Sequence, residues 1–513
     1  MKLSKSLPLI ALCAVAYAPT AASAAPTIKS YFEFKQPKMI TIPGDLSLDS
    51  GGASAPVSNV SSTYTLGFEG ISQYDGASFG RNFIPPDTMG AVGRTQYFET
   101  SNGAYAVFDK YTGQRLSLVS DVAFWNSVGQ AGANGDSRVM YNAAAGRWIA
   151  ISFGASTADI QIAISDTDDA LGSWQSTIFT GFAGGVADYP TLAMDTNAVY
   201  IGTNNFTSSF QGTTLNVIPL NSLFGNGAPS VTGMKQFSTA FPGTFEDRGF
   251  ALQGVNSTTA GSTGKVLAAS LFNYDSLGFT VNNLTSTDES GATLGAVNYL
   301  GQAAFQSPGP GRQPSVAIAA NQRVIATLDE RISSSVYEVN GRIYMVNTVD
   351  DLSDGLDESR VRYTILDANT FAILDEGNIG EAGYDYYQGS IAVNEFGEVA
   401  IGYNRSGLDP TTGKISFMAQ LFRTMADGSL QSMGSEMLLK ESLVDDYHNG
   451  SLFGQPAAGR QRWGDYSQVS VDPSNAHNFY LIGQFAREYN NAAGGHPGGT
   501  GGSGRTWPTR LCA

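Results

Sequence analysis

The chain of 513 residues is 42% hydrophobic and 11% aromatic with only 14% charged residues, enough to bury a large core and too apolar for a disordered chain. Its 60 glycines follow no three-residue period, which excludes a collagen-like fibre and points to many tight turns. A net charge of −16 repels phosphate backbones and anionic membranes, which excludes nucleic acid as a partner and suits solubility outside the cell.

In chain order, the first element is an export leader over residues 1–24. Lys2 and Lys5 form its basic end, Leu7 to Tyr17 its apolar stretch, and Ala22-Ser23-Ala24 a small-residue cleavage site. The apolar stretch is too short to anchor the chain in a bilayer. Cys13 follows Ala11-Leu12, not the small residue a lipoprotein site needs. Once the leader is removed only Cys512 remains, which rules out an internal disulfide or a cysteine metal cluster. No later stretch is apolar enough for a membrane anchor, so the mature protein is expected in the periplasm or the medium. Residues 25–84 are rich in Ser, Gly and Thr and read as a lead-in long enough to supply one outer strand.

From residue 85 to 513 one template recurs: a polar opener, an alternating apolar strand, a turn, and a second apolar strand. Clear copies are Asp136-Ser-Arg-Val-Met-Tyr-Asn142 with Arg147-Trp-Ile-Ala-Ile-Ser152, and Asp188-Tyr-Pro-Thr-Leu-Ala-Met-Asp195 with Ala198-Val-Tyr-Ile-Gly202. Others open at Arg312, Gln388 and Gly464-Asp465, and looser ones near Asp87 and Arg248. The openers are far enough apart for four short strands each, which predicts an all-β, seven-bladed β-propeller. Six or eight blades, or tandem β-sandwiches, are the alternatives. A glycine-rich loop at 494–504 precedes a terminal segment that can return as a closing strand or trail as a tail.

Several of these segments resemble a family of large secreted bacterial propeller proteins, largely uncharacterised and distantly sialidase-like. The residues that carry the likeness are Pro85-Pro-Asp-Thr-Met-Gly-Ala-Val-Gly93, Asn102-Gly-Ala-Tyr-Ala-Val-Phe-Asp-Lys110, Arg147-Trp148 and Asp188-Tyr-Pro190. Arg462-Trp-Gly-Asp-Tyr-Ser-Gln-Val-Ser-Val-Asp-Pro473 and Trp507-Pro-Thr-Arg-Leu511 match it too. The resemblance implies the propeller fold and almost nothing about chemistry. Ser165-Asp166-Thr167 with Gly172-Ser173-Trp174 resembles the Asp-box turn of sialidase-like propellers, but its spacing departs from S-x-D-x-G-x-x-W, which tells against a sialidase.

In a propeller the innermost strands start or end around one axial mouth, so the openers are the expected site residues. Asp136, Asp188 and Asp465 are the candidate catalytic carboxylates, in the proton-donor and base or nucleophile roles of glycosidic cleavage. Arg138, Arg312 and Arg462 are candidates for binding an acidic sugar, and Tyr189, Tyr387, Trp463 and Tyr466 for stacking on sugar rings. For each of them turn formation, packing or an ion pair is the competing role. Asp87 and Gln388 also belong to the opener ring, and Asp329-Glu330-Arg331 is a charged triplet near a mouth or in a solvated loop.

The three histidines are scattered and there is no H-E-x-x-H, G-x-S-x-G, P-loop or dinucleotide motif. No cofactor is required by any of these patterns. The acidic run Asp350, Asp351, Asp354, Asp357 and Glu358 offers hard oxygen ligands, which leaves calcium open, although its spacing is not that of an EF-hand. The expected activity is on a polysaccharide, by a hydrolase or lyase. A non-catalytic module binding a glycan, a protein or another extracellular ligand is the alternative.

Overall fold

The computed structural model describes residues 63–81, 83–240, 249–269, 277–283, 291–295, 298–314, 323–448, 459–487, 489–490, 503–504 and 509–512. The leader at 1–24, most of the lead-in, Arg248 and residues 494–502 of the glycine-rich loop lie outside them. The protein is all-β, with 5% helix, and forms a β-propeller. No helix among the described residues is long and apolar enough to cross a membrane.

Most sheets are antiparallel meanders that step outward strand by strand. The first runs Met89–Val92, Gln96–Ser101, Ala104–Asp109, Arg115–Ser120; the second runs Arg138–Asn142, Arg147–Phe153, Asp159–Ser165, Trp174–Thr180. Their inner strands are buried on both faces because each face packs on a neighbouring sheet. That is why Ile149, Ile151, Ile160, Ile162 and Ile164 form one core with Val199, Ile201 and Ile218 of the next sheet. The outer strand Trp174–Thr180 meets solvent at Gln175, Ile178 and Thr180, and only Phe179 in it is buried.

Seven separate four-stranded blades, the expectation from the repeated template, are corrected by this arrangement. Among the described residues four propeller blades are delimited. The described strands form three four-stranded sheets, two of five strands, one of nine, and two isolated pairs. Neither six or eight blades nor tandem sandwiches describe it better. Two local events explain the difference. Phe250–Ser257 pairs in parallel with Val336–Val339, which joins two meanders into the nine-stranded sheet. In the template copy opening at Arg312, Val324–Ile325 pairs in parallel with Arg460–Gln461, and residues 315–322 lie outside the described ones. Alternation is a local property and carries no information on which edge a strand will meet.

The two ends of the chain meet. Thr509–Cys512 lies between Phe479–Gln484 and Gly67–Glu69 in the last sheet. That sheet docks on the first through a buried pair, Lys110 Nζ to Asp472 Oδ1 at 2.6 Å, whose side chains are 0% and 2% exposed. Tyr97 stacks on Tyr480 across the same seam, with ring centroids 5.8 Å apart.

Candidate functional site

A bend precedes or interrupts the leading strand of one sheet after another. Asp87, Asp136, Tyr189, Ala251, Leu328 and Gln388 all have positive φ, between 48° and 66°, a region that L-residues rarely occupy. Several of the bends are tied to groups from elsewhere in the ring. Asn102 Oδ1 accepts from the Asp136 amide and Asn204 Oδ1 from the Ala251 amide, both at 2.8 Å. Asp87 Oδ1 accepts from the Asp465 amide at 2.8 Å, across 378 residues of sequence. Strain repeated in this way is kept where surrounding contacts over-determine it, commonly at functional sites.

The bends bring one charged cluster together. Tyr466 donates its hydroxyl to Asp136 Oδ2 at 3.0 Å, and Tyr189 donates to the Asp465 carbonyl at 3.2 Å. Arg462 pairs with Asp465, and Arg331 grips Asp329 through two bonds of 2.6 and 2.7 Å. Beneath them the Arg138 guanidinium lies 3.7 Å from the Tyr466 ring centroid, and Arg331 lies 4.4 Å from that of Tyr189. Thus Asp87, Asp136, Asp188, Asp329, Asp465, Arg138, Arg331 and Arg462, from five stretches of chain, share one region.

Their environments separate the acids. Burial, then repulsion from Asp188 and Asp465, pushes Asp136 up to about 7. Burial and the Asp465 charge push Asp188 up to about 6. Asp87 is raised well above the carboxylate range by burial, with Asp465 and Asp136 adding to it. Glu330, buried beside Asp329, is pushed up to about 8. Asp329 goes the other way: burial opposes it, but the charge and hydrogen bonds of Arg331 hold it below its ordinary value. Neutral and ionised carboxyls side by side are the arrangement that acid–base chemistry uses.

The other expected residues lie elsewhere or play different parts. Arg312 is outside the cluster, bonded to Asp385 and Glu358 at 2.7 Å each. Tyr387, Trp463 and Tyr447 pack together in a buried core, with Tyr387 donating to Ser406 at 3.1 Å. Tyr189 and Tyr466 are each 1% exposed, so the rings expected to stack on sugars instead support the charged groups from below. Arg138 is 2% exposed and donates to the Pro190 carbonyl at 3.0 Å, so it acts on the site through Asp136 and Tyr466.

The acidic run at 350–358 turns inward on itself. Asp354 and Glu358 pair with Arg360 at 3.0 and 2.9 Å, and Asp351 accepts from Ser353. Among the described residues no three acidic, cysteine or histidine side chains are placed to share a metal ion. The Asp-box-like segment is a hairpin turn, in which the Asp166 amide bonds the Ser173 carbonyl at 2.8 Å and Trp174 Nε1 the Ala170 carbonyl at 3.0 Å.

The cluster also takes in two members of the charged triplet Asp329-Glu330-Arg331, whose sequence fits a mouth or a solvated loop equally well. Arg331 takes the place expected for Arg312, and Asp329 comes with it. Arg460, two residues before Arg462, lies on the short strand Arg460–Gln461, close enough for the charges of Arg462 and Asp465 to act on it.

Fold and site together define an all-β propeller protein with a charged site where the leading strands meet. No family model matches the sequence, and no curated protein matches it either. Solved structures similar to it include Hsv2 of Kluyveromyces lactis, at 10% identity and a TM-score of 0.34 over 82% of this chain and 95% of that one. Another is an endo-arabinase from Bacteroides thetaiotaomicron, at 13% identity and 0.31 over 55% of this chain and 92% of that one. A third is a neuraminidase-like protein of A/flat-faced bat/Peru, at 10% and 0.36 over 74% of this chain and 87% of that one. Likeness at this level carries no activity across.

Proposed function

We propose that the protein is exported and acts on a polysaccharide, using the carboxyls of the charged cluster as acid and base. One observation carries this: Asp136 and Asp188 are half-buried and raised to about 7 and about 6, beside an Asp465 already paired with Arg462. A carboxyl that keeps its proton near neutrality can give it to a glycosidic oxygen. The bond from that oxygen to the anomeric carbon breaks. A water adds to the carbon, and its proton passes to a second carboxylate, the role this reading gives to Asp465. Tyr466 orients Asp136 through its hydroxyl, and Arg138 under the ring fixes Tyr466.

The test is to incubate the purified mature protein with neutral and acidic polysaccharides, with and without chelator, and measure new reducing ends. Release of sugars that disappears in Asp136→Asn and Asp188→Asn, with folding retained, supports the reading. Binding without release assigns the same cluster to a glycan-binding module instead, and folding failure of both variants makes the carboxyls structural.

A further inference from the structure

In each antiparallel meander the turns from first to second strand and from third to fourth fall at the end opposite the openers. At that end, turns of the sheets containing Arg342–Asp351 and Glu398–Gly407 line a cleft of about 420 Å³, a volume suited to a small ligand. Arg342 joins its walls: it stands opposite Asp367 on the neighbouring strand and donates from Nη2 to the Ala426 carbonyl at 2.8 Å. Leu374 closes on Gly428, where an added Cβ would stand 2.8 Å from Leu374 Cδ1. Asp367 gives Oδ1 to the Asn369 and Thr370 amides at 3.0 and 2.8 Å, and Asp427 gives Oδ1 to the Ser429 amide at 3.0 Å. Among the described residues Oδ2 of neither has a hydrogen bond, and the enclosed Arg342 Nε–H has no partner either. The turn Glu395-Phe396-Gly397 is tied to both walls. Asn340 Nδ2 donates to the Glu395 carbonyl at 2.8 Å, and the Thr424 amide to the Gly397 carbonyl at 2.7 Å. This turn presents Phe396, which is 55% exposed and stacks on His477 with ring centroids 4.5 Å apart. His477 in turn is held by Glu398, Nδ1 to Oε2 at 2.7 Å.

We propose that this cleft, with Phe396 beside it, is a second glycan-binding site that takes a neutral sugar chain at the end of the molecule away from the charged cluster. Carboxylate oxygens only accept and guanidinium N–H groups only donate, so a ligand touching both must do both, as sugar hydroxyls do. A ligand carboxylate would meet Asp367 and Asp427, and a ligand ammonium would meet Arg342. The Phe396 ring offers an apolar surface for a sugar ring, and His477 already holds it in place, so binding there costs little side-chain freedom. The site does not depend on turnover at the cluster.

The test runs the full mature protein through native gels containing hydroxyethylcellulose, galactomannan or dextran, with carboxymethylcellulose as the charged control, and reads affinity from the retardation. At least one neutral polymer should retard wild type and Asp136→Asn alike. Asp427→Asn keeps Oδ1 for its turn and replaces Oδ2 by an N–H donor. That variant and Phe396→Ala should each weaken binding about 10-fold or more, the range of one charged hydrogen-bonded contact, without shifting the melting temperature. No retardation by any neutral polymer, or retardation untouched by both variants, overturns the proposal. Tighter binding of carboxymethylcellulose than of hydroxyethylcellulose, or displacement of the polymer by tetralysine, overturns the neutral-sugar assignment. Retardation lost in the two variants, with no turnover of any glycan, leaves this site standing and removes the acid–base reading. Turnover without retardation does the reverse.

Discussion

Replacing Asp136 by Asn should stabilise the protein at alkaline pH while abolishing turnover. In the folded state Asp136 gains its proton at about 7, against 3.8 for an unperturbed group. Between those two values the folded protein binds more protons than the unfolded chain, so the stability contributed by this group falls as pH rises. At about 1.36 kcal/mol per pKa unit, a gap of about 3 units amounts to about 4 kcal/mol above neutrality. Asp136 is half-buried, and water reaching it reduces this to about 2–3 kcal/mol. Asn keeps an oxygen to accept from Tyr466, so that contact survives the change. The assay is urea unfolding of wild type and Asp136→Asn from about pH 4 to about pH 8, read as the difference between the two at each pH. The difference should be small at the acid end, grow in favour of the variant up to about pH 7, and then level. A flat difference, or one that favours wild type as pH rises, would refute the claim that this carboxyl is held neutral by its surroundings.

Turnover itself should fall as pH rises past about 7, because Asp136, the proposed proton donor, is then ionised; a pH–rate profile without that limb removes Asp136 as the acid. Asp472→Ala should cost about 3–5 kcal/mol in urea unfolding, since it strands the fully buried Lys110 ammonium with only the Gly93 carbonyl. The double variant Lys110→Met with Asp472→Ala should recover much of that loss, and a simple sum of the two single losses would show that the pair is not coupled. Gly202→Ala should cost about 1–3 kcal/mol, because its Cβ would stand 2.2 Å from the Leu252 carbonyl oxygen of the next sheet; an unchanged melting temperature would mean the sheets can separate freely.

Much of the site was legible in the residues because the openers announce themselves. Asp87, Asp136, Asp188 and Asp465 each stand just before an alternating apolar run, and each reaches the same cluster. Arg312 shows where that reasoning stops. Gln313, Pro314 and the apolar residues after it look like every other copy, yet Arg312 ends on Asp385 and Glu358, away from the cluster. Arg331 occupies the position expected for it, preceded by no alternating run. The tyrosines illustrate the same gap: an opener's neighbour can face solvent or core, and only the packing of Arg138 and Arg331 on their rings shows that Tyr189 and Tyr466 face inward.

The sequence by itself determined what depends on near neighbours along the chain. It carries the strand periodicity, the glycine- and asparagine-rich turns and the identity of the acids, because propensity and patterning act over a few residues. The tertiary structure decided what depends on closure. Asp465 meets Asp87 across 378 residues, and Phe250–Ser257 finds Val336–Val339 as its parallel partner. The pKa values of Asp136 and Asp188 follow from burial and from charges brought by other strands. Contacts of that range are set by how whole sheets pack around one another, and no window of sequence contains them.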